Sequence, residues 1–411
     1  MTHNQLFWLY TPITILVPSL LTFYVGWRWV SRVANRTVRL ALSWCVLFPA
    51  GLLAALALIF WGEQDRVALD WLLRPGFLVL GFLLTALPFL VAIDLLRLSH
   101  FWLVRRSGRH GSRTGIPTLK THANRLFAGL EILTLFIALG CLIAGSAIAR
   151  RQPTVVNVVV LVKGLEEPLQ GLRILQLSDI HLRGKRDQGR LEALVNQVNS
   201  LSPDLIAITG DIVDGPLDNL RKSTSSLARL KAKDGVYLVL GNHEYYADAN
   251  ACATEFARLG LTVLLDEHRV VTHNGAKLVV AGVVNPQEGM HGSRLTLEKS
   301  RLTELKANPQ DALTGAPIGP LRILLAHQPK SAKRAQGLKV ALALTGHTHG
   351  GQYFPWNYLE RLVLPYVSGL YLAQDPAIYV SPGIGTFGPP LRLGVPPEIT
   401  LLTLKADASA P

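Results

Sequence analysis

Asp179 and His181, two residues apart in LSDIHLRG, form the first of five clusters of carboxylate, imidazole and amide side chains, each following a short apolar run. The second is Asp211 with Asp214 in ITGDIVDG, and the third is Asn242, His243 and Glu244 in LGNHEYY. His327 in LLAHQP makes the fourth, and His347 with His349 in LTGHTHGGQ the fifth. Oxygen and imidazole donors of this kind suit hard and borderline divalent ions such as Mn, Fe, Zn, Mg or Co. Two such ions about 3.5–4 Å apart share a bridging ligand, neutralise phosphate charge, lower the pKa of a bridging water and stabilise both oxygens of an in-line displacement. The chemistry implied is hydrolysis of a phosphate ester with no organic cofactor. A single His or Asp after a strand is ordinarily a turn or cap residue, and that reading stands for His268, His273 and His291, outside the clusters.

What must position these groups is a set of strands ending at one rim. From about residue 155 the chain alternates short β-rich runs with helical stretches. Leu172–Leu177 reads as a buried strand, followed by a helix near 187–200. PDLIAITGD, GVYLVLGN, LRILLAH and VALALTGH read as further strands. In an α/β sheet such ends converge, so side chains distant in sequence meet.

The ordered set D-x-H, G-D-x-x-D, G-N-H-E, a strand-terminal His and G-H-x-H resembles the calcineurin-like metallophosphoesterase superfamily, over residues 172–404. The GHTHGGQ ending and the tail YVSPGIGTFGPPLRLGVPPEITLLTL are similar to a bacterial phosphodiesterase-type branch with N-terminal transmembrane segments. The resemblance implies a four-layer α/β/β/α sandwich. It implies one metal held by Asp179, His181, Asp211 and His349, and a second by Asp211, Asn242, His327 and His347, with Asp211 bridging. His243 would stand beside the metals, stabilise the pentacoordinate phosphorus and protonate the leaving oxygen. Mn is the first expectation. Asp214 and Glu244 read as supports that orient ligands or loops. Arg183, with Lys185 and Arg186, reads either as a solvated face or as a grip on a second phosphate or an anionic lipid headgroup. Arg392 is either a loop-bracing ion pair or a phosphate contact. Tyr245, Tyr246, Tyr353, Phe354 and Trp356 either pack or floor an apolar groove.

At 411 residues the chain exceeds what one core usually supports. It divides near residue 150. The first 150 residues hold 14 of the 41 Lys/Arg and 5 of the 28 Asp/Glu, so most of the net +13 belongs to the apolar part. Basic residues that flank hydrophobic runs act as topology signals, and nucleic-acid binding is not expected. Spans are expected near 8–30, 40–61, 71–97 and 127–149, with kinks or shifted ends around the prolines of the first and third. Arginines cluster in the first and third connections, which places those loops in the cytoplasm of a bacterial inner membrane and residues 151–411 on the outer face. Cys45 and Cys141 lie in apolar runs, and Cys252 reads as a small core hydrophobe.

The expected function is metal-dependent hydrolysis of a phosphodiester, phosphomonoester or pyrophosphate, with lipid or lipid-linked sugar phosphates the first substrates to consider. Two alternatives stand beside it. One is a pyrophosphatase acting on a nucleotide-linked acylated sugar in lipid A assembly, which needs a cytoplasmic site. The other is a metal-binding membrane scaffold without turnover.

Overall fold

Two long helices precede the sheet-forming unit. The computed structural model describes residues 23–28, 70–107, 116–184, 187–285, 307–372 and 375–407. The spans expected at 8–30 and 40–61 lie outside these residues, apart from a helical stretch at 23–28. The third and fourth expected spans fall on helices. Helix α1 runs Asp70–Ser107 and α2 Ile116–Ala149. Their segments Pro75–Arg106 and Thr121–Ala149, with mean hydropathy 2.5 and 2.4, are long and apolar enough to cross a bilayer. Among the described residues two helices meet that criterion, where four were expected along the whole chain. Both extend beyond the expected bounds, and α1 continues through Pro75 and Pro88.

The two helices are antiparallel neighbours, joined at one end by charge. Arg28 pairs with Asp94 at 2.5 Å and with Glu131 at 2.7 Å, while Arg97 reaches Glu131 at 2.6 Å and lies over the Phe127 ring. Glu131 is buried. Charges withdrawn from water in this way persist only when paired.

The rest of the chain forms two six-stranded sheets. The first takes β1 (Thr154–Val162), β2 (Arg173–Leu177), β3 (Leu205–Ile208), β4 (Val236–Leu238) and β5 (Thr262–Val263). The second takes β6 (Glu267–His273), β7 (Ala276–Gly282), β8 (Leu321–Leu325), β9 (Leu342–Thr345), β10 (Gly369–Tyr371) and β11 (Ala377–Val380). Strand β12 (Glu398–Ala406) returns to the first sheet, whose order is β1-β12-β2-β3-β4-β5; the second is ordered β10-β11-β9-β8-β7-β6. Both sheets are mixed: β2 to β5 run parallel and so do β7, β8, β9 and β11, with antiparallel pairs at β12–β2, β6–β7 and β10–β11.

Period-two alternation explains the layering. In β2, Leu175 and Leu177 join a core with Leu191, Leu194, Val195 and Val198 of helix α3 (Gln188–Ser200), whereas Ile174 turns the other way. There it meets Leu278, Val280, Ile323 and Leu344 of the second sheet. Leu324 and Ala343 point outward again, into a third core with Ala332 and Ala335. Parallel strands covered on both faces read as continuous apolar runs, as they do in this chain.

The helices and the sheet-forming unit touch. Pro88 has no N–H to give the carbonyl of Leu84, four residues back, and the Trp356 indole supplies one instead, Nε1 donating to Leu84 O at 3.2 Å. Replacing Trp356→Phe should strand that carbonyl and lower stability by about 1–3 kcal/mol. In a Pro88→Ala background, where residue 88 regains its own donor, the same replacement should cost far less. A double-mutant cycle of thermal unfolding in detergent measures the difference.

Candidate metal centre

Every cluster anticipated from the sequence sits just past the C-terminal end of a parallel strand. Strand β2 delivers Asp179 and His181, β3 delivers Asp211 and Asp214, β4 delivers Asn242 and His243, β8 delivers His327, and β9 delivers His347 and His349. Ligand atoms of Asp179, His181 and His349 lie within 4.8 Å of one another, as do those of Asp211, His327 and His347, and those of His181, Asp211 and His243. Asp211 belongs to two of the three groups. Asn242 joins the second, its Oδ1 3.0 Å from His327 Nε2.

The backbone at this rim is unusual. Asp179, His181, Asp211, His347 and His349 all have φ between 52° and 74°, five of the eleven non-glycine residues with positive φ among those described. Each such conformation costs on the order of 1–3 kcal/mol and persists where the surroundings over-determine it. Here the surroundings are backbone in contact with carboxylate. A Cβ on Gly241 would fall 2.1 Å from Asp211 Oδ1, and one on Gly346 would fall 2.3 Å from Asp179 Oδ2. The glycines of GNHE and GHTH are therefore steric requirements of the two aspartates.

Hydrogen bonds fix which ring nitrogens face inward. His327 Nδ1 donates to Thr209 O at 2.8 Å, so in the neutral ring Nε2 carries the lone pair. That nitrogen faces two oxygen acceptors, Asn242 Oδ1 at 3.0 Å and Asp211 Oδ2 at 3.3 Å, with His347 Nδ1 at 3.1 Å beside them. Only a cation or a proton reconciles them. His181 repeats the logic: Nδ1 donates to Asp214 Oδ1 at 2.5 Å, leaving Nε2 to face His349 Nε2 at 3.0 Å and Asp211 Oδ2 at 3.9 Å. His349 differs. Arg392 Nη2 donates to its Nδ1 at 3.0 Å, which puts the ring hydrogen on Nε2, and that proton must leave before a cation binds there.

Electrostatics follow from burial and proximity. Burial raises the Asp179 carboxyl, with His327 opposing. For Asp211 burial acts upward too, but the charges of His327 and His243 outweigh it and hold the carboxyl low. Burial disfavours the charged form of His243, yet the Asp211 charge and the hydrogen bond to Asp214 raise it to about 9. His243 is partly buried, its side chain 13% exposed, and His347 is the exposed member of the set. His243 Nδ1 lies 2.7 Å from Asp214 Oδ1 and its Nε2 3.8 Å from Asp211 Oδ2, while Tyr246 and Phe387 pack edge-on at 5.3 and 5.5 Å between ring centroids.

The supporting residues have defined tasks. Asp214 bonds both His181 and His243, and also accepts from Arg183 Nε at 2.9 Å. Arg183 is committed further, its Nη2 donating to Thr386 O, so it braces the loop; Lys185 and Arg186 lie outside the described residues. Arg392 braces its loop, as one of the two sequence readings had it, but through carbonyls and not an ion pair. It is fully buried and its guanidinium donates to the carbonyls of Pro382 and Gly385 as well as to His349, which leaves no path to a substrate phosphate. His268 bonds Ala312 O and His273 bonds Asp234, away from the centre, while His291 is outside the described residues. Phe387, Thr209 and Ser178, which donates to Asp179 Oδ2 at 2.6 Å, are the members that sequence reasoning missed. The tail GIGTFGPP that carries Phe387 was a signal for its position only.

A protein-family model described as calcineurin-like phosphoesterase matches residues 172–351, the stretch that holds all five clusters. An uncharacterized metallophosphoesterase of Aquifex aeolicus is 34% identical over 240 residues, covering 58% of this chain and 87% of that protein. The chain belongs to the calcineurin-like metallophosphoesterase family. It is also similar to proteins of Danio rerio and Bos taurus, each named "Transmembrane protein with metallophosphoesterase domain". Identity is 35% over 285 residues for the first and 36% over 277 for the second, covering 67% and 64% of this chain. The chain spans 62% and 60% of the length of these two relatives.

Glu244 tests how the centre is built. Its Oε1 accepts from the N–H groups of Ile212 and Val213, and its Oε2 from those of Asp211 and Gly241, at 2.6–3.1 Å. A Gln side chain must turn its NH2 toward one of those donor pairs. Glu244→Gln should therefore lower stability by about 1–3 kcal/mol and reduce bound metal, read by thermal unfolding and elemental analysis.

Proposed function

We propose that this chain is a two-metal hydrolase of phosphate esters, anchored in a bacterial inner membrane. The observation that carries the reading is the convergence of Asp179, His181 and His349, and of Asp211, His327 and His347, each set with its ligand atoms within 4.8 Å of one another, with Asn242 Oδ1 and Asp211 Oδ2 both facing His327 Nε2. The donor set fits two ions. Asp179, His181, Asp211 and His349 would hold one, and Asp211, Asn242, His327 and His347 the other, Mn being our first choice. When bound, such ions neutralise the phosphate and lower the pKa of a nucleophilic water.

The residues of the chain do the rest. Asp211 stands between the two groups, where a single carboxylate reaches both. Asp214 holds His181 and His243 in fixed orientation, so that the Nε2 atoms point inward. His243, partly buried beside the two ligand groups and held by Asp214, would give a proton to the leaving oxygen; the Asp211 charge and the Asp214 hydrogen bond both favour its protonated form. Phe387 and Tyr246 flank it and keep water from one side of the mouth.

The membrane reading draws on the hydropathy of α1 and α2 and on the names of the animal relatives. Arg97, Arg105 and Arg106 lie at the end of α1 away from the catalytic unit, which supports a cytoplasmic basic loop and an outward-facing site. Lipid or lipid-linked sugar phosphates are the substrates such a tether favours.

Purified full-length protein should hydrolyse an aryl phosphodiester or monoester with Mn and lose that turnover in chelator. Asp211→Ala should abolish turnover together with metal binding. His243→Ala should lower kcat by about 10²–10⁴-fold at unchanged metal content. Steady-state kinetics beside elemental analysis would decide it, and metal-loaded native protein inert toward both esters would sink the hydrolase reading.

A further inference from the structure

Two glycines fix the depth at which the catalytic unit meets the helices. Leu391 lies so close to Gly81 of α1 and Gly145 of α2 that a methyl group on the first would come 2.6 Å from its Cδ1, and one on the second 3.4 Å from its Cβ. Arg392 N also donates to Gly145 O at 3.0 Å. These positions share one level. The charged cluster of Asp94, Arg97 and Glu131 marks another, sixteen residues along α1 from Gly81 to Arg97, or about 24 Å at 1.5 Å per residue. From Glu131 to Ala149 along α2 is about 27 Å, close to the ~30 Å thickness of a hydrocarbon core. If α1 and α2 span a membrane, the cluster lies at one face and Ala149 at the other.

Part of the catalytic unit lies between those faces. The Phe354 ring packs on Phe89 of α1 at 5.9 Å, and Trp356 caps the Leu84 carbonyl. Phe89 is eight residues beyond Gly81, about 12 Å farther from the Ala149 face and near the middle of the slab. The chain that follows leaves mostly apolar side chains uncovered, together with Arg361, whose guanidinium turns back to donate to Ser368 Oγ at 3.0 Å. Tyr358, whose ring is 6.0 Å from that of Phe354, is 62% exposed, and Leu362 and Val363 are 81% exposed. The backbone in this stretch is wound into a helical turn at Trp356–Leu359 and a 3₁₀ turn at Glu360–Leu362. Coiling of that kind satisfies the main chain internally, as a lipid environment demands.

The ridge is tied to the mouth of the metal centre. Gln352 Nε2 donates to Phe387 O at 3.0 Å, and Phe387 N donates back to Gln352 Oε1 at 2.7 Å. Pro389 abuts Gly81 and Gly388 neighbours Phe77, which sets Phe387 near the Ala149 face, at headgroup depth. We infer that Phe354–Leu364 is immersed in the bilayer alongside α1, with phospholipid as its partner, and that the centre is thereby held where it takes the phosphate of a bilayer-resident amphiphile. The substrate half of this inference rests on the hydrolase reading; the immersion does not.

The test places an environment-sensitive fluorescent amino acid at position 363 of the full-length protein in phosphatidylcholine nanodiscs, and in parallel at 318. Ile318 is 84% exposed, but it shares a cleft with Val162, at the end of β1 remote from α2. Brominated acyl chains should quench position 363 and spare 318, while aqueous iodide should do the reverse. Equal quenching at both positions, or none at 363, would overturn immersion whether or not the protein turns anything over. The second arm compares native protein with Leu362→Glu/Val363→Glu. Turnover of phosphatidic acid in vesicles should fall about tenfold or more, with hydrolysis of a soluble aryl phosphodiester unchanged. Equal losses on both would overturn the substrate half, and a native protein that is immersed yet inert would count against the hydrolase reading alone.

Discussion

Four main-chain N–H groups converge on the buried carboxylate of Glu244, and the geometry of the centre depends on that convergence. Two of the donors, Ile212 and Val213, follow Asp211; a third is Asp211 itself, and the fourth is Gly241 from the neighbouring strand end. One side chain thus fastens the loop after β3 to the loop after β4. Asp211 is held in a left-handed conformation, and its Oδ1 is brought within reach of the His243 amide at 2.9 Å. The arrangement carries an electrostatic cost. Burial, and then the neighbouring Asp211 charge, push the Glu244 carboxyl up to about 7. Positive charge in the centre would relieve both acids together.

The ligand clusters were legible because each follows an apolar run whose two faces are both buried, so strand ends and donors could be read together. Their left-handed backbone was not legible: nothing in the letters of Asp179 or His349 distinguishes φ near +50° from an ordinary turn. Which of its two readings Arg392 follows was not legible for a related reason. Its neighbours are carbonyls of Pro382 and Gly385 in the same irregular loop and a ring from β9, and no local pattern announces how such a loop folds over a sheet end. Phe387 escaped notice similarly, 144 residues from the histidine it packs against. Pro88 was visible as a break in a helical pattern, but the indole that repairs it comes from residue 356.

The two halves of the chain were separable in composition and are not separate in structure. Leu391 is wedged between two helices while its neighbour Arg392 reaches the ring of His349. A displacement of α2 relative to the sheets would be felt one residue away from a contact to the metal centre. The contact surface is made of small and apolar groups on the helices and of main chain on the loop, a combination that packs closely without charge.

Strand β12 lies at the interior of the first sheet, between β1 and β2, although it is made some 230 residues after β2. Until it exists, β1 has no partner and β2 has one open edge. At 5–20 residues per second, about 10 to 50 seconds separate the synthesis of the two strands. During that interval the Asp179 loop lacks the segment from Ser381 to Leu393 that closes over it, whereas α1 and α2 are already complete. The order of biosynthesis therefore sets the order of assembly: the helical hairpin is a template laid down first, and the centre closes onto it only after residue 406 has left the ribosome.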